Sequence, residues 1–308
     1  MYDTVIIGSG PAGLSAAVYA SRARLSAVVA EKTPFGAGQI SEGGRVENYP
    51  GLYGESGFEL GERLRFHAKA LGAYFSEGEV VEVKKEGGVF LSVFSDGSVL
   101  ESRTVVYAAG ASHKKLGIAG EARLTGRGVS YCATCDGAFY RDKTVAVVGG
   151  GDTALGEALF LEKLAKTVYL VHRRARFRAS RALQERVRLS DKIRLVTEAI
   201  PLEILGGETA EGLRLSVRGR EKIIAADGVF IAIGMSPNTA AVSRLVPLDE
   251  GGAVVADETG TTAEAGFFAA GDVRTKRLRQ VVTAAADGAN CIASVSEYLE
   301  HTPTPVGS

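Results

Sequence analysis

The sequence predicts an α/β fold, and three stretches predict it. The apolar runs Thr4–Ile7 and Val145–Val148 each end in a glycine turn, and each turn leads into a helical stretch. Between them lies Cys132-Ala133-Thr134-Cys135-Asp136, a C-x-x-C pair with an acid attached. A chain of 308 residues can bury two ordinary cores, and 45% apolar with 23% charged residues is the balance of a globular protein. Lys+Arg and Asp+Glu are both 36, so no general affinity for nucleic acid or an anionic membrane is expected. The first apolar run is broken at once by Gly8-Ser9-Gly10-Pro11, which does not read as a signal peptide, and no run has the length of a membrane span. Three cysteines, Cys132, Cys135 and Cys291, make no disulfide scaffold. A reducing, cytoplasmic location is therefore expected, where a close cysteine pair is redox-active rather than structural.

In order along the chain, Thr4–Ile7 is a strand, Gly8–Gly13 a G-x-G-x-x-G turn, Leu14–Ser21 a helix and Ala27–Ala30 a second strand ending in Glu31. The glycines let the backbone approach a pyrophosphate, whose charge sits at the helix N-terminus, and Glu31 can accept hydrogen bonds from a ribose diol. The segment Phe35–Tyr53 is glycine-rich and irregular, with side chains suited to the rest of a large cofactor. Gly57–Leu71 has helical periodicity. Val80–Val83, Val89–Phe94 and Val99–Val105 read as strands, with Asp96-Gly97 as a hairpin turn. Val105–Ala109 reads as another buried strand, ending at Gly110.

The second unit repeats the first. Thr144–Val148 is its first strand, Gly149-Gly150-Gly151-Asp152-Thr153-Ala154 its turn, Thr153–Lys163 its helix and Thr167–Val171 its second strand. From Gly8 to Glu31 is 23 positions, and from Gly149 to His172 is again 23. The same architectural spot carries an acid in one unit and His172-Arg173-Arg174 in the other. An acid there repels a 2′-phosphate, whereas clustered arginines attract it bidentately. The second site is therefore expected to prefer NADPH to NADH, and the first to hold a dinucleotide with a free ribose diol, such as FAD. Lys192–Val196, Gly212–Val217 and Gly228–Ile233 read as further strands, the last followed by Gly234-Met235-Ser236-Pro237-Asn238. Gly266–Ala270 is a short run ending in Gly271-Asp272, Gln280–Tyr298 a long helix, and the tail from His301 a frayed end.

With these residues in view, the chain resembles low-molecular-weight, bacterial-type thioredoxin reductases from end to end. The matching pieces are Gly8–Gly13, Gly38-Gln39, Asn48-Tyr49-Pro50-Gly51, Cys132–Asp136, Gly149–Ala154, His172–Arg174 with Arg178, and Gly271-Asp272 with Arg279-Gln280. The resemblance implies two Rossmann-like, three-layer ββα domains, the second inserted into the first. It puts 1–114 and 243–308 in an FAD domain and 115–242 in an NADPH domain, with crossings near His113–Leu116 and Ala241–Arg244. It implies that Cys132 attacks the substrate disulfide, that Cys135 lies against the flavin and that Asp136 is the acid/base. The residues alone leave open which cysteine faces which partner. For FAD it implies Gly8, Ser9, Gly10, Pro11, Ala12, Gly13, Glu31, Lys32, Gly38, Gln39, Asn48, Ala109, Gly110, Gly271, Asp272, Arg279, Gln280 and Val281. For NADPH it implies Gly149, Gly150, Gly151, Asp152, Thr153, Ala154, His172, Arg173, Arg174, Arg178, Ile233 and Gly234. The implied partners are thioredoxin or a thioredoxin-like protein and a second copy of the chain, and the two domains are expected to rotate so that disulfide and nicotinamide take turns at the flavin.

Each feature has a plainer reading. Cys132 and Cys135 could be half of a zinc site, but Cys291 and four scattered histidines make a poor remainder. Cys291 sits among Ala and Ile as a small core residue. Of the seven arginines from Arg173 to Arg188, Arg181, Arg186 and Arg188 are assigned to solvent. Gly110 and Gly234 could be simple turns, and Asp272 an ordinary N-capping acid. The chain departs from the family pattern at Ala109, Gly156 and Ala286; Gly156 costs its helix about 1 kcal/mol. Rival functions are a dithiol oxidase that uses oxygen or a ferredoxin-fed reductase, both expected to lack the arginine cluster, and a non-catalytic redox sensor. An alkyl hydroperoxide reductase subunit would carry an extra N-terminal region, whereas here the first strand begins at Thr4.

Overall fold

The computed structural model describes residues 1–34, 36–42, 46 and 48–302. Phe35 at the start of the irregular segment, Glu47, and the tail beyond Thr302 lie outside the described residues. The chain divides into two compact units. One comprises Met1–Glu42, Val46–Ser112 and the chain from Ser236 on; the other is His113–Met235.

The first unit opens with β1 (Tyr2–Ile7), α1 (Pro11–Arg22), β2 (Ala27–Glu31), α2 (Gly57–Ala70), β3 (Tyr74–Glu77), β4 (Val80–Glu86), β5 (Val89–Phe94) and β6 (Val99–Tyr107). β7 (Ala111–His113) carries the chain out of this unit. The second unit holds α3 (Glu121–Leu124), β8 (Val129–Ser130), α4 (Ala133–Asp136), β9 (Thr144–Gly149), α5 (Asp152–Leu161), β10 (Thr167–Val171), α6 (Arg181–Arg188), β11 (Ile193–Val196), β12 (Ala199–Leu205), β13 (Gly212–Val217), β14 (Arg220–Ala225) and β15 (Gly228–Ala232). The return runs through β16 (Met235–Pro237), then β17 (Phe267–Ala269) and α7 (Val281–His301).

In the first unit the strand order is β3-β2-β1-β6-β5-β4, with β17 also paired to β6. The strands expected at Val99–Val105 and Val105–Ala109 are one strand, β6. Its first half pairs antiparallel with β5 through Val99–Ser102, and its second half pairs parallel with β17 through Val105–Tyr107. One edge of a single strand thus serves two partners in succession, and the apolar pattern does not register the change. Alternation along β1 sends Ile6 to a core shared with α1 and α7, and Val5 and Ile7 to a core shared with β4 and β5. Both faces are covered, which is why the run is apolar throughout.

α1 starts at a proline whose missing N–H costs nothing in a first turn. Its small residues Ala12, Ala16, Ala17 and Ala20 are buried and let α7 lie close against it. A Cβ on Gly288 of α7 would land on the Ala12 carbonyl oxygen. At the β1–α1 turn Gly8 has φ +102°, and a Cβ on Gly13 would land on the Gly8 carbonyl oxygen. Only glycine lets this helix sit on this strand.

The second unit has a parallel sheet, β11-β10-β9-β15-β8, with α5 and α6 on one face. The antiparallel sheet β12-β13-β14 covers the other: Ala146, Val148, Val229 and Ile231 pack on Ile204, Leu213 and Leu215. These are three layers. β12, β14 and α6 were not read from the sequence: Pro201 interrupts the apolar run of β12, and charged residues crowd β14 and α6. Val242 and Val246 are buried with Val254 in the first unit's core, so the chain is back in that unit by Ser236, ahead of the crossing expected at Ala241–Arg244. Among the described residues no helix is long and apolar enough to cross a membrane.

Gly156 lies within α5, and nothing stands within 4 Å of a Cβ added there. Gly156→Ala should stabilise the protein by about 0.5–1 kcal/mol, read as a higher denaturant midpoint; a lower midpoint contradicts the open space described.

Candidate functional site

The first cradle is the C-terminal edge of the first unit's parallel strands. Gly10 is the N-cap of α1 and no side chain caps the helix, so its leading N–H groups and positive dipole end suit an anion. At the end of β2, Glu31 Oε2 accepts from Ser9 N and Ser9 Oγ, each at 2.8 Å. Its Oε1 accepts from Thr33 N at 3.0 Å and Thr33 Oγ1 at 3.1 Å. The acid expected to read a ribose thus ties the glycine turn to the loop after β2. Pro11 heads the helix at the turn and Lys32 is exposed, while Ala12 and Gly13 are buried and shape the turn.

Residues far apart in sequence meet here. Asn48 Nδ2 donates to Gln280 Oε1 at 2.8 Å, joining the irregular segment to the N-cap of α7, beside Val281. Gln39, which follows Gly38 in a 3₁₀ turn, donates from Nε2 to the Ala111 carbonyl. Asn238 holds the loop after β6: its Nδ2 donates to Ala109 O at 2.9 Å, its N–H to Gly110 O at 3.0 Å, and its own carbonyl accepts from Tyr107 Oη at 2.7 Å. Sequence reading noted Asn238 only as part of a turn.

Gly271-Asp272 is held by a buried ionic cluster that sequence reading missed. Asp287 Oδ2 accepts from Gly271 N at 2.8 Å, Arg274 Nε at 3.0 Å and Lys276 Nζ at 2.7 Å, and Oδ1 accepts from Arg274 Nη2 at 2.9 Å. Arg274 is 1% exposed and Asp287 5%. Burial alone would push the Asp287 carboxyl up, but Arg274 and Lys276 outweigh it and hold it below the usual range. The available signal was an acid inside the apolar helix stretch Ala284-Ala285-Ala286-Asp287-Gly288. Asp272 differs: its Oδ1 is buried without a partner among the described residues, and burial raises its carboxyl against the pull of Lys276 and Arg279.

The second cradle repeats the plan with other chemistry. Gly151 is the N-cap of α5, again without a side-chain cap, and a Cβ there would meet open space. The arginine segment folds back onto the glycine turn: Arg178 N–H donates to Gly150 O at 2.8 Å, and Asp152 Oδ1 accepts from Ser180 N at 2.7 Å. Arg173, Arg174 and Arg178 are exposed, as are Thr153 and Gly234, with Ile233 half-buried, while Gly149 and Ala154 are buried. His172 is buried beside Gly150 and stacks on Phe177 at 5.2 Å between centroids. Burial first, then the three arginines, lower its pKa, and its Nε2 has no partner among the described residues. Arg181, Arg186 and Arg188 lie exposed on or at the ends of α6, as expected.

Cys132 and Cys135 are joined by a disulfide, and Cys291 is buried in the first unit's core. The disulfide lies on α4, in the same unit as the arginine-lipped cradle. Ser130, at the end of β8, accepts from Cys132 N at 3.1 Å and donates from Oγ to the Cys132 carbonyl at 3.4 Å. Burial raises the Asp136 carboxyl, with Ser130 opposing, and its Oδ1 is buried without a partner among the described residues. Asp136 can therefore hold a proton near the sulfurs closer to neutral pH than an exposed aspartate can.

Both cradles fit dinucleotides on this structure's own terms. Uncapped helices of 12 and 10 residues face the turns, and the buried orphan oxygen of Asp272 and orphan nitrogen of His172 are groups a ligand could satisfy. Fold and site together define a disulfide oxidoreductase with two nucleotide cradles. The family model described as pyridine nucleotide-disulphide oxidoreductase matches residues 2–288, and the chain belongs to that family. Membership implies use of a flavin and a nicotinamide nucleotide. A thioredoxin reductase of Listeria monocytogenes is 43% identical over 97% of this chain and 94% of its own length. A bifunctional thioredoxin reductase/thioredoxin of Mycobacterium leprae is 43% identical over 96% of this chain and 65% of its own length. The crystal structure of thioredoxin reductase from Streptococcus pyogenes matches with TM-score 0.91 and 40% identity, covering 98% of this chain and 99% of that one.

Removing Asp287 would leave the buried Arg274 with the exposed Glu258 carboxylate at 3.3 Å as its remaining ion-pair partner among the described residues. Asp287→Ala should cost about 3–5 kcal/mol in denaturant unfolding. Because the folded pKa of Asp287 is depressed, its stabilisation is present above the unfolded value near ~3.9 and is lost as pH falls through the lower folded value. The variant's acid-unfolding curve should lack that component, and an unchanged curve contradicts the cluster's role.

Proposed function

We propose that this protein is an NADPH-dependent thioredoxin reductase. The observation that carries the reading is the Cys132–Cys135 disulfide in the same unit as an arginine-lipped nucleotide cradle. The first cradle takes FAD: α1 faces the pyrophosphate, Glu31 the ribose, and Asp272 with the Asn48–Gln280 pair the remainder. The second takes NADPH: α5 faces the pyrophosphate and Arg173, Arg174 and Arg178 hold the 2′-phosphate, with His172 behind them. The two cofactors supply hydride acceptance and two-electron transfer when bound.

The chain's own residues do the thiol chemistry. Once the pair is reduced, the Cys132 thiolate attacks a sulfur of the thioredoxin disulfide and forms a mixed disulfide. The Cys135 sulfur then attacks Cys132, releasing thioredoxin's second thiol and restoring the Cys132–Cys135 bond. Asp136, whose carboxyl burial raises above the usual aspartate range, is the group that moves the proton the leaving sulfur needs. Thioredoxin as partner is supported by the M. leprae relative whose name joins both activities. Working as a homodimer in the cytoplasm belongs to the same reading. The arginine lip argues against a ferredoxin-fed reductase.

The test is NADPH-driven reduction of thioredoxin. Cys135→Ser should abolish it. Arg173→Ala with Arg174→Ala should raise the KM for NADPH about tenfold and leave the KM for NADH nearly unchanged, the loss of one bidentate phosphate clamp. Equal use of NADH and NADPH by the parent protein contradicts the 2′-phosphate assignment.

A further inference from the structure

The segment from His172 to Ser180 joins β10 to α6 and carries Arg173, Arg174 and Arg178. It forms no helix or strand of its own, so its shape depends on what pins it. Backbone groups pin it at two points along its length. The Arg174 carbonyl accepts from Glu198 N at 3.3 Å, and the Arg178 N–H donates to the Gly150 carbonyl at 2.8 Å. The Glu198 carboxylate itself turns to Arg218, at 2.8 and 2.7 Å, and leaves the arginine segment alone.

Side chains add three more ties. The His172 ring stacks on Phe177, Gln184 Nε2 of α6 donates to Ala179 O at 2.7 Å, and Asp152 Oδ1 accepts from Ser180 N at 2.7 Å. The first lies within the segment, and the second comes from the helix it leads into. Among the described residues, Asp152 makes the one side-chain hydrogen bond from the α5 turn to the segment. Asp152 is the first residue of α5. A carboxylate there competes with a phosphate for the same positive helix end, so its charge opposes every nucleotide alike. Its bond to Ser180 acts in the other direction and on one nucleotide only.

We propose that Asp152 is a positioning residue that sets selectivity for the 2′-phosphate, by holding Ser180, and through it the arginine segment, against the glycine turn. A guanidinium grips a phosphate bidentately only when its backbone is in place. With Ser180 released, the phosphate itself must order the segment, and that ordering weakens binding. A nucleotide without the 2′-phosphate makes no such grip and loses nothing. The inference rests on the arginines receiving the 2′-phosphate, as in the proposed function.

The test reads binding, not turnover. Flavin-loaded full-length protein is titrated in a calorimeter with NADP⁺ and with NAD⁺ at one ionic strength, and the ratio of the two dissociation constants is taken. Asp152→Ala should lower the preference for NADP⁺ about fivefold, the usual size of one carboxylate-to-backbone capping bond. Asp152→Asn removes the charge and keeps an oxygen for Ser180 N. Both its affinities should move together, with the ratio within about twofold of the parent's. Ser180→Pro removes the donor instead. Ser180 lies at φ −56°, which proline adopts, and the ratio should fall as in Asp152→Ala. A pure charge effect would tighten both nucleotides in both Asp152 variants and leave the ratio alone; that result overturns the inference, as does an equal fall of the ratio in Asp152→Ala and Asp152→Asn. Should Asp152→Ala not fold, Ser180→Pro carries the same test. A parent protein without preference for NADP⁺ overturns the arginine assignment of the proposed function, and this inference with it. A parent with that preference and an Asp152→Ala variant of equal ratio overturn this inference alone.

Discussion

A methyl group at position 13 would occupy the space of the Gly8 carbonyl oxygen, and this one exclusion sets the geometry of the first unit. Because residue 13 has no side chain, α1 descends directly onto the end of β1. Because Gly8 takes a positive φ, the chain turns sharply enough to leave the helix's first N–H groups uncovered. α7 then closes on α1 across its alanine face, with Gly288 against Ala12. The second unit meets the same constraint at Gly149–Gly151, where Gly150 lies under the His172 ring and accepts from Arg178. Close backbone approach is the shared cause of both cradles. What differs is the side chain at the end of each second strand.

That difference was legible in the sequence because it is local. The 23-residue spacing from glycine turn to strand end follows from a strand, a tight turn, a helix and a strand of ordinary length, so Glu31 and His172 fell at equivalent places. The parallel strands were legible because both faces are buried and the runs are apolar. β5, β10 and β13 fell on their expected bounds. β12 and β14 went unread, because Pro201 interrupts the one and Arg220, Glu221 and Lys222 open the other. β6 was read as two strands because nothing in Val99–Tyr107 marks the point where its partner changes from β5 to β17.

The illegible part of the site is polar and long-range. Asp287 lies 13 residues from Arg274, and Asn48 lies 232 from Gln280, so no local pattern announces either pair. Asn238 clamps Ala109 and Gly110 from the far side of the inserted unit's sequence. Ser130 reaches the redox turn from β8 through the backbone N–H of Cys132, which sequence does not display. These residues fix the backbone that the recognisable motifs ride on. The motif residues name the chemistry, and the clamps hold it in place. Asp136 and Asp272 share one condition, a carboxyl raised chiefly by burial with one oxygen unpartnered among the described residues, which concentrates proton-accepting capacity beside the dithiol and at the Gly271 turn.

The central claim is that electrons from a reduced nicotinamide nucleotide arrive at Cys132 and Cys135. The most direct measurement is to add NADPH alone to the flavin-loaded protein without oxygen, trap thiols with an alkylating agent and map the modified cysteines. The account predicts that Cys132 and Cys135 become modified together while Cys291 does not. A pair that stays oxidised while NADPH is present in excess would contradict it.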